Sequence, residues 1–164
     1  MLPQDIEAIA EAVIRRAEAK GLMIATAESC TGGLVSGALT AIAGSSAVLD
    51  RGFVTYSNEA KVEMLGVDSE LLASFGAVSE STARAMAEGA VARSRASIAV
   101  SVTGIAGPGG GSPQKPVGLV HFAAHGPNGQ TVHLEKRFGD IGRDAIRLES
   151  VRTALAMLMD AVSE

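Results

Sequence analysis

The sequence predicts an α/β fold, a single domain over residues 1–164 built as a three-layer sandwich with a mixed β-sheet flanked by helices. Apolar stretches of helical period alternate with short apolar runs bounded by turn residues. A hairpin signal followed by a closing amphipathic helix ends the chain, so the sheet mixes crossover and hairpin connections. With 164 residues, 47% hydrophobic and 20% charged, the chain is long and apolar enough to bury a full core.

Taken in order, Ile6, Ile9, Ala10, Val13 and Ala17 share one helical face, with Glu7, Glu11, Arg15 and Glu18 off it. This is an amphipathic helix stopping near Gly21. Residues 22–27 form a short apolar run before a polar turn and read as a buried strand. The turn Glu28-Ser29-Cys30-Thr31-Gly32-Gly33 opens a second helical pattern through Leu34, Val35, Ala38 and Leu39. Residues 47–56 read as the next strand. Ser57-Asn58 caps a helix over 59–65, a short helix follows over 69–75, and Ser79 or Ser81 caps a long alanine-rich helix to about Ser94. Residues 96–102 are the most strand-like run in the chain. They enter a Gly/Pro loop, 104–116, too short for an interdomain linker and read as a site loop. Residues 117–124 and 131–138 flank Gly126-Pro127-Asn128-Gly129 as a hairpin. The last helix starts near Arg143, with Leu148, Val151, Leu155, Leu158 and Val162 on one face.

Composition excludes several classes. The net charge of −4 argues against a surface that grips duplex DNA, and one Tyr, four Phe and no Trp argue against stacking platforms for single strands. Nucleic acid is therefore not an expected partner. The single cysteine, Cys30, cannot form an intramolecular disulfide. The N-terminus is charged and amphipathic, unlike a signal peptide. No run approaches the ~18 apolar residues that span a bilayer. A cytoplasmic protein without a membrane partner is expected.

The motifs for a nucleophile elbow, a zincin, paired-cysteine zinc and a P-loop are all absent. His121, His125 and His133 sit on or near the hairpin. His121 and His133 can face one another across it as metal ligands, but with no third ligand evident they read better as hairpin side chains. The turn after the first strand is more informative. Ser29 stands at a helix N-terminus, where the N–H groups of Cys30, Thr31, Gly32 and Gly33 can meet an oxyanion. The same serine also suits a plain helix cap. Cys30 is a rival nucleophile, since a thiolate gains from the same dipole, or a small packing residue. A base for Ser29 is available in Lys61, one of four lysines, early in its helix, where the dipole favours the neutral amine. A neutral amine takes a proton from serine in Ser–Lys variants of the triad; from spacing alone Lys61 reads better as a solvent-facing side chain. Tyr56, the only tyrosine, ends the preceding strand and can orient Lys61 or stack on a ligand ring. Thr103 and the loop through Gly104 and Gly107 follow the third strand, where ligands collect in open α/β sheets, and suit phosphate binding through backbone N–H groups. Arg143 offers a cation for an anionic ligand.

Together the segments TAESCTGGLVSGALTAIAGSS, DRGFVTYSNEAKVEMLGV, GAVSE, SVTGIAGPGGGSPQKPVGLVHFA and GRDAIR resemble the C-terminal domain of the competence/damage-inducible protein CinA over roughly residues 5–160. Longer members carry a further pyrophosphatase-type domain, for which this chain has no room. Stand-alone members are nicotinamide-nucleotide amidases. The resemblance implies hydrolysis of nicotinamide mononucleotide to nicotinic acid mononucleotide and ammonia, as in pyridine-nucleotide salvage. It implies a Ser–Lys mechanism with Ser29 as nucleophile and Lys61 as base. Ser46 would tune the lysine, while Tyr56, Thr103 and Arg143 would line the site. No metal or organic cofactor is implied. The expected partners are a small-molecule nucleotide and a second copy of the chain in a homodimer. Two other readings stand beside this one: a non-catalytic nucleotide-binding or protein-interaction module linked to competence or DNA damage, and a cysteine amidase using Cys30.

Overall fold

A computed structural model describes residues 1–164. Helix α1 spans Gln4–Lys20 and stops at Gly21, whose left-handed backbone (φ 66°) lets the Gly21 and Leu22 N–H groups close onto Glu18 O and Ala17 O. This closure consumes Leu22, so β1 begins later than the apolar run suggests, at Ile24–Glu28. Helix α2 is Leu34–Thr40, and a short 3-10 turn at Ser45–Ala47 precedes β2, Leu49–Val54. Helices α3 (Asn58–Leu65), α4 (Ser69–Phe75) and α5 (Glu80–Ala92) follow, then β3 (Ile98–Gly104), β4 (Leu119–His125), β5 (Thr131–Arg137) and α6 (Arg143–Ser163). Of the two candidate caps for α5, Ser79 does the work, accepting the Thr82 N–H at 3.2 Å. No helix is long and apolar enough to cross a membrane.

The five strands form one mixed sheet in the order β2-β1-β3-β4-β5. β1 runs parallel to both β2 and β3, while β3-β4 and β4-β5 pair antiparallel. Strands β1, β3 and β4 are buried almost throughout, as expected of strands covered on both faces. The edge strands are more exposed and carry charge, Asp50 and Arg51 on β2 and Glu135, Lys136 and Arg137 on β5, which discourages pairing with another edge.

Side-chain alternation sorts the core into two layers. Ile24, Val100, Val102 and Phe122 face α1, α2 and α6 in the larger apolar cluster. Ala25, Ala27 and Ala99 face α3, α4 and α5 in the smaller one, with Leu65, Leu72 and Met86. The result is the expected helix–sheet–helix sandwich. From β1 the chain goes to β2 through α2, and returns past β1 to β3 through α3–α5. The C-terminal end of β1 is thus the point where strand order reverses, and ligand crevices in open α/β sheets form at such points.

Candidate active site

Ser29 is the first residue beyond β1. Its N–H donates to Val102 O at 2.9 Å, and the Thr55 N–H donates to Glu28 O at 2.8 Å, so the turn is stitched to both neighbouring strands. By alternation, the Glu28 side chain faces α2 and the Ser29 side chain faces α3. The Glu28 carboxylate is fully buried and accepts the N–H groups of Val35 at 2.9 Å and Ser36 at 3.0 Å. The N–H groups of Val35 and Ser36 in the first turn of α2 are thus already taken, which leaves the preceding turn as the source of free donors. Gly32 is also engaged, donating to Ser29 O at 3.0 Å. The N–H groups of Cys30, Thr31 and Gly33 meet no oxygen acceptor in the protein; of the four turn residues Cys30–Gly33, Cys30 lines the cavity that opens over Ser29 and Lys61, and Thr31, Gly32 and Gly33 do not.

Lys61 is the fourth residue of α3 and shares that helix's buried face with Leu65, one turn on. It is only 1% exposed. Its Nζ lies 3.1 Å from Ser29 Oγ, 2.9 Å from Thr55 O and 3.4 Å from Tyr56 O. Burial lowers the Lys61 pKa from its ordinary value, with Cys30 acting weakly the other way. The two carbonyls can only accept, so each takes an Nζ hydrogen, and the remaining position on Nζ faces Ser29 Oγ, which an ammonium meets with its third hydrogen and a neutral amine with its lone pair.

A cavity of about 210 Å³ opens over this pair, lined by Tyr56, Asn58, Ala77, Thr103 and Arg143 among others. Thr103 Oγ1 donates to Ala77 O at 2.8 Å, tying β3 to the segment before α5. Gly104 lines the cavity where a side chain would strike Val120 and the Leu119 carbonyl. Gly107, expected to bind substrate, is not part of the lining; its carbonyl accepts from Arg143 Nη1 at 2.7 Å. Arg143 Nη2 reaches the Tyr56 hydroxyl at 3.3 Å, so these two exposed side chains meet at the cavity mouth. Cys30 also lines the cavity, but burial pushes its thiol up to about 11.

Ser46 does not join them. It is exposed in the 3-10 turn before β2 and makes no side-chain hydrogen bond. Because β1 and β2 are parallel with Ile24 opposite Leu49, this turn lies at the edge of the sheet where the strands begin, while Ser29 and Lys61 lie where they end. The Thr55 and Tyr56 carbonyls hold the lysine instead. His121 and His133 lie on one sheet face in a diagonal pairing, since His121 opposes Glu135 and Ala123 opposes His133. Their Nδ1 and Nε2 atoms are 2.8 Å apart and hydrogen-bonded to each other, so those two nitrogens are not aimed at a common ion.

Residue-type reasoning missed Glu28, Asn58, Ala77 and Arg147. Arg147 had a signal: it stands four residues after Arg143 on α6, on the same helical face. Glu28 had none, because a glutamate ending an apolar run reads as a turn residue.

The fold and site together define an α/β protein with a buried serine–lysine pair at the strand-order reversal. The profile of the CinA C-terminal domain family matches residues 6–162, and the chain belongs to that family. A crystal structure of the competence/damage inducible protein CihA from Agrobacterium tumefaciens superposes with a TM-score of 0.97 at 62% identity, covering 100% of this chain and 99% of that one. The Escherichia coli (strain K12) nicotinamide-nucleotide amidohydrolase PncC is 49% identical over 96% of this chain and 95% of its own length. A CinA-like protein of Anaeromyxobacter sp. (strain K) is 51% identical over 90% of this chain. The chain spans only 36% of that longer relative.

Proposed function

We propose that this protein is a nicotinamide-nucleotide amidase that releases ammonia from nicotinamide mononucleotide by a Ser–Lys mechanism. The observation that carries the chemistry is the 3.1 Å approach of the buried Lys61 Nζ to Ser29 Oγ, with two carbonyls occupying the amine's hydrogens. The substrate assignment draws on the 49% identity to the Escherichia coli amidohydrolase over nearly the full length of both chains.

In the proposed reaction neutral Lys61 accepts the Ser29 proton as Oγ attacks the carboxamide carbon. The carbonyl electrons move to oxygen, which is held by free N–H groups of the turn. The C–N bond then breaks and the Lys61 ammonium passes its proton to the departing nitrogen, releasing ammonia. Water attacks the acyl-enzyme, with Lys61 taking and returning a proton, and the acid leaves. Arg143 at the cavity mouth retains N–H groups beyond those given to Gly107 and Tyr56, and these suit the substrate's phosphate. Cys30 is disfavoured as nucleophile, since a thiol held near 11 carries little thiolate at neutral pH. A cytoplasmic homodimer remains part of the proposal, and sedimentation equilibrium tests the dimer.

Ammonia release from nicotinamide mononucleotide, measured for the wild type, Ser29→Ala and Lys61→Ala, tests the function. Release by the wild type alone, with both variants folded, supports it. A folded wild type that releases nothing moves the assignment to a binding module or another amide.

A further inference from the structure

Arg147 lies outside the cavity, one turn beyond Arg143 on α6. Its guanidinium is turned to two successive carbonyls of the nucleophile turn and not to a carboxylate. Nε donates to Cys30 O at 3.1 Å and Nη2 to Thr31 O at 3.4 Å. A partly buried guanidinium held by backbone carbonyls, with no acidic partner, is an unusual use of an arginine, whose fork more often meets carboxylate or phosphate.

The turn has reason to need it. Gly32 and Gly33 both take positive φ, at 57° and 102°, so two adjacent residues lack the steric limits that stiffen other loops. In such a turn a peptide plane can rotate and bring its carbonyl to the side where its N–H should be. A carbonyl oxygen facing a developing oxyanion repels it. Arg147 reaches the turn from α6, on the opposite side of the sheet from α3 and Lys61. The peptide bonds on either side of Thr31 are trans, so each N–H points away from the carbonyl of its own peptide. With the Cys30 carbonyl drawn to the α6 side, the Thr31 N–H of the same peptide is turned away from α6; the next peptide is held besides by the Gly32 N–H on Ser29 O and the Leu34 N–H on Thr31 O, each at 3.0 Å.

We infer that Arg147 is a positioning residue for amide hydrolysis: it holds the Cys30 carbonyl away from the cavity so that the Thr31 N–H, in the same peptide, is presented to the oxyanion. It touches neither substrate nor reacting atoms and acts through the backbone of Cys30 and Thr31. The inference rests on the amidase reading above.

The test uses Arg147→Met and Arg147→Lys in the purified full chain, with kcat and KM for nicotinamide mononucleotide measured separately and thermal melts alongside. Loss of well-aimed donors lowers kcat on the order of 10-fold to 100-fold, toward the range seen when an oxyanion donor is removed, with KM within about twofold. Arg147→Lys, which keeps a charge and one donor, recovers part of kcat. A merely structural role predicts no such split and no rescue at equal melting temperature. A folded Arg147→Met with kcat near wild type, or a loss residing wholly in KM, overturns the inference while leaving the amidase intact. If the methionine variant does not fold, the lysine variant reports the same split. A wild type without ammonia release overturns the amidase reading itself, and the inference with it.

Discussion

Glu28 caps the helix that starts six residues after it: its Oε1 accepts the Val35 N–H at 2.9 Å, and its Oε2 takes the next N–H along, that of Ser36. The carboxylate is buried and adjacent in sequence to Ser29, so one side chain ties the start of α2 to the segment that carries Ser29. Glu28→Gln keeps one acceptor oxygen but puts an N–H₂ against a donor and removes the charge from the helix N-terminus. A loss of about 1–3 kcal/mol is expected from a hydrogen bond to a charged group left unmade. Chemical denaturation checks it, and an unchanged midpoint would show that the cap contributes nothing. Activity should fall alongside stability.

Lys61 carries the pH prediction. Its folded-state pKa lies below the ordinary 10.5 because burial disfavours the ammonium. In the proposed mechanism the neutral amine is the active form, so kcat/KM should rise with pH along a limb whose midpoint falls below 10.5. The stability linkage has the same direction. Between the lowered pKa and 10.5 the unfolded lysine binds a proton that the folded one does not, so stability falls as pH drops through this window and rises as pH increases. Lys61→Met removes that slope and lowers turnover by roughly 10²–10⁴. Unfolding curves of wild type and variant at two pH values within the window check the sign: the difference should move in favour of wild type as pH rises.

Cys30 should prove dispensable to the chemistry. With its thiol near 11, it remains protonated at pH 8 and is shielded by burial. Cys30→Ala is expected to keep activity within a few-fold, and iodoacetamide should alkylate the native protein far more slowly than the unfolded one. Rapid inactivation by alkylation at pH 8 would return the cysteine to the mechanism.

Gly89 tests how α5 supports the lysine. Glycine inside an alanine-rich helix ordinarily costs about 1 kcal/mol relative to alanine, so helix propensity alone predicts that Gly89→Ala stabilises. A methyl group there would overlap the Leu65 carbonyl oxygen at the end of α3. Leu65 lies one turn from Lys61 on the buried face of α3. Overpacking at a backbone atom is expected to destabilise by roughly 1–3 kcal/mol and to disturb the Lys61–Ser29 distance. Thermal unfolding and ammonia release check both parts, and a higher melting temperature would refute the contact argument.

The elements were legible from local pattern because caps and periodicity act within a few residues. Ser57, Ser79 and Gly21 each close a helix end through neighbours in sequence, and the 126–129 turn joins strands that pair directly. The element boundaries that slipped were those set by distant partners. The first strand starts at Ile24 because Leu22 is held by α1, and the third extends to Gly104 because β4 pairs with it there. Within the site, Ser29 and Lys61 were readable as residue types at helix starts. Ser46 was misplaced because the family pattern carries no information about which end of a strand faces the cavity.

The sequence by itself determined the alternation of helices and strands and the glycine turn after the first strand, which follow from local sterics, capping and hydrophobic period. Its resemblance to a family put forward Ser29 and Lys61 as the pair for amide hydrolysis. Only the tertiary structure decided that β1 lies between β2 and β3, which brings Ser29 to the strand-order reversal and α3 across it. It also decided that Lys61 is buried against two carbonyls, that Glu28 fills the helix N-terminus, and that Arg147 grips the turn from 116 and 117 residues away. Burial and pairing are properties of what surrounds a group in space. They set the protonation of an amine and the orientation of a peptide, and the order of residues along the chain does not specify them one by one.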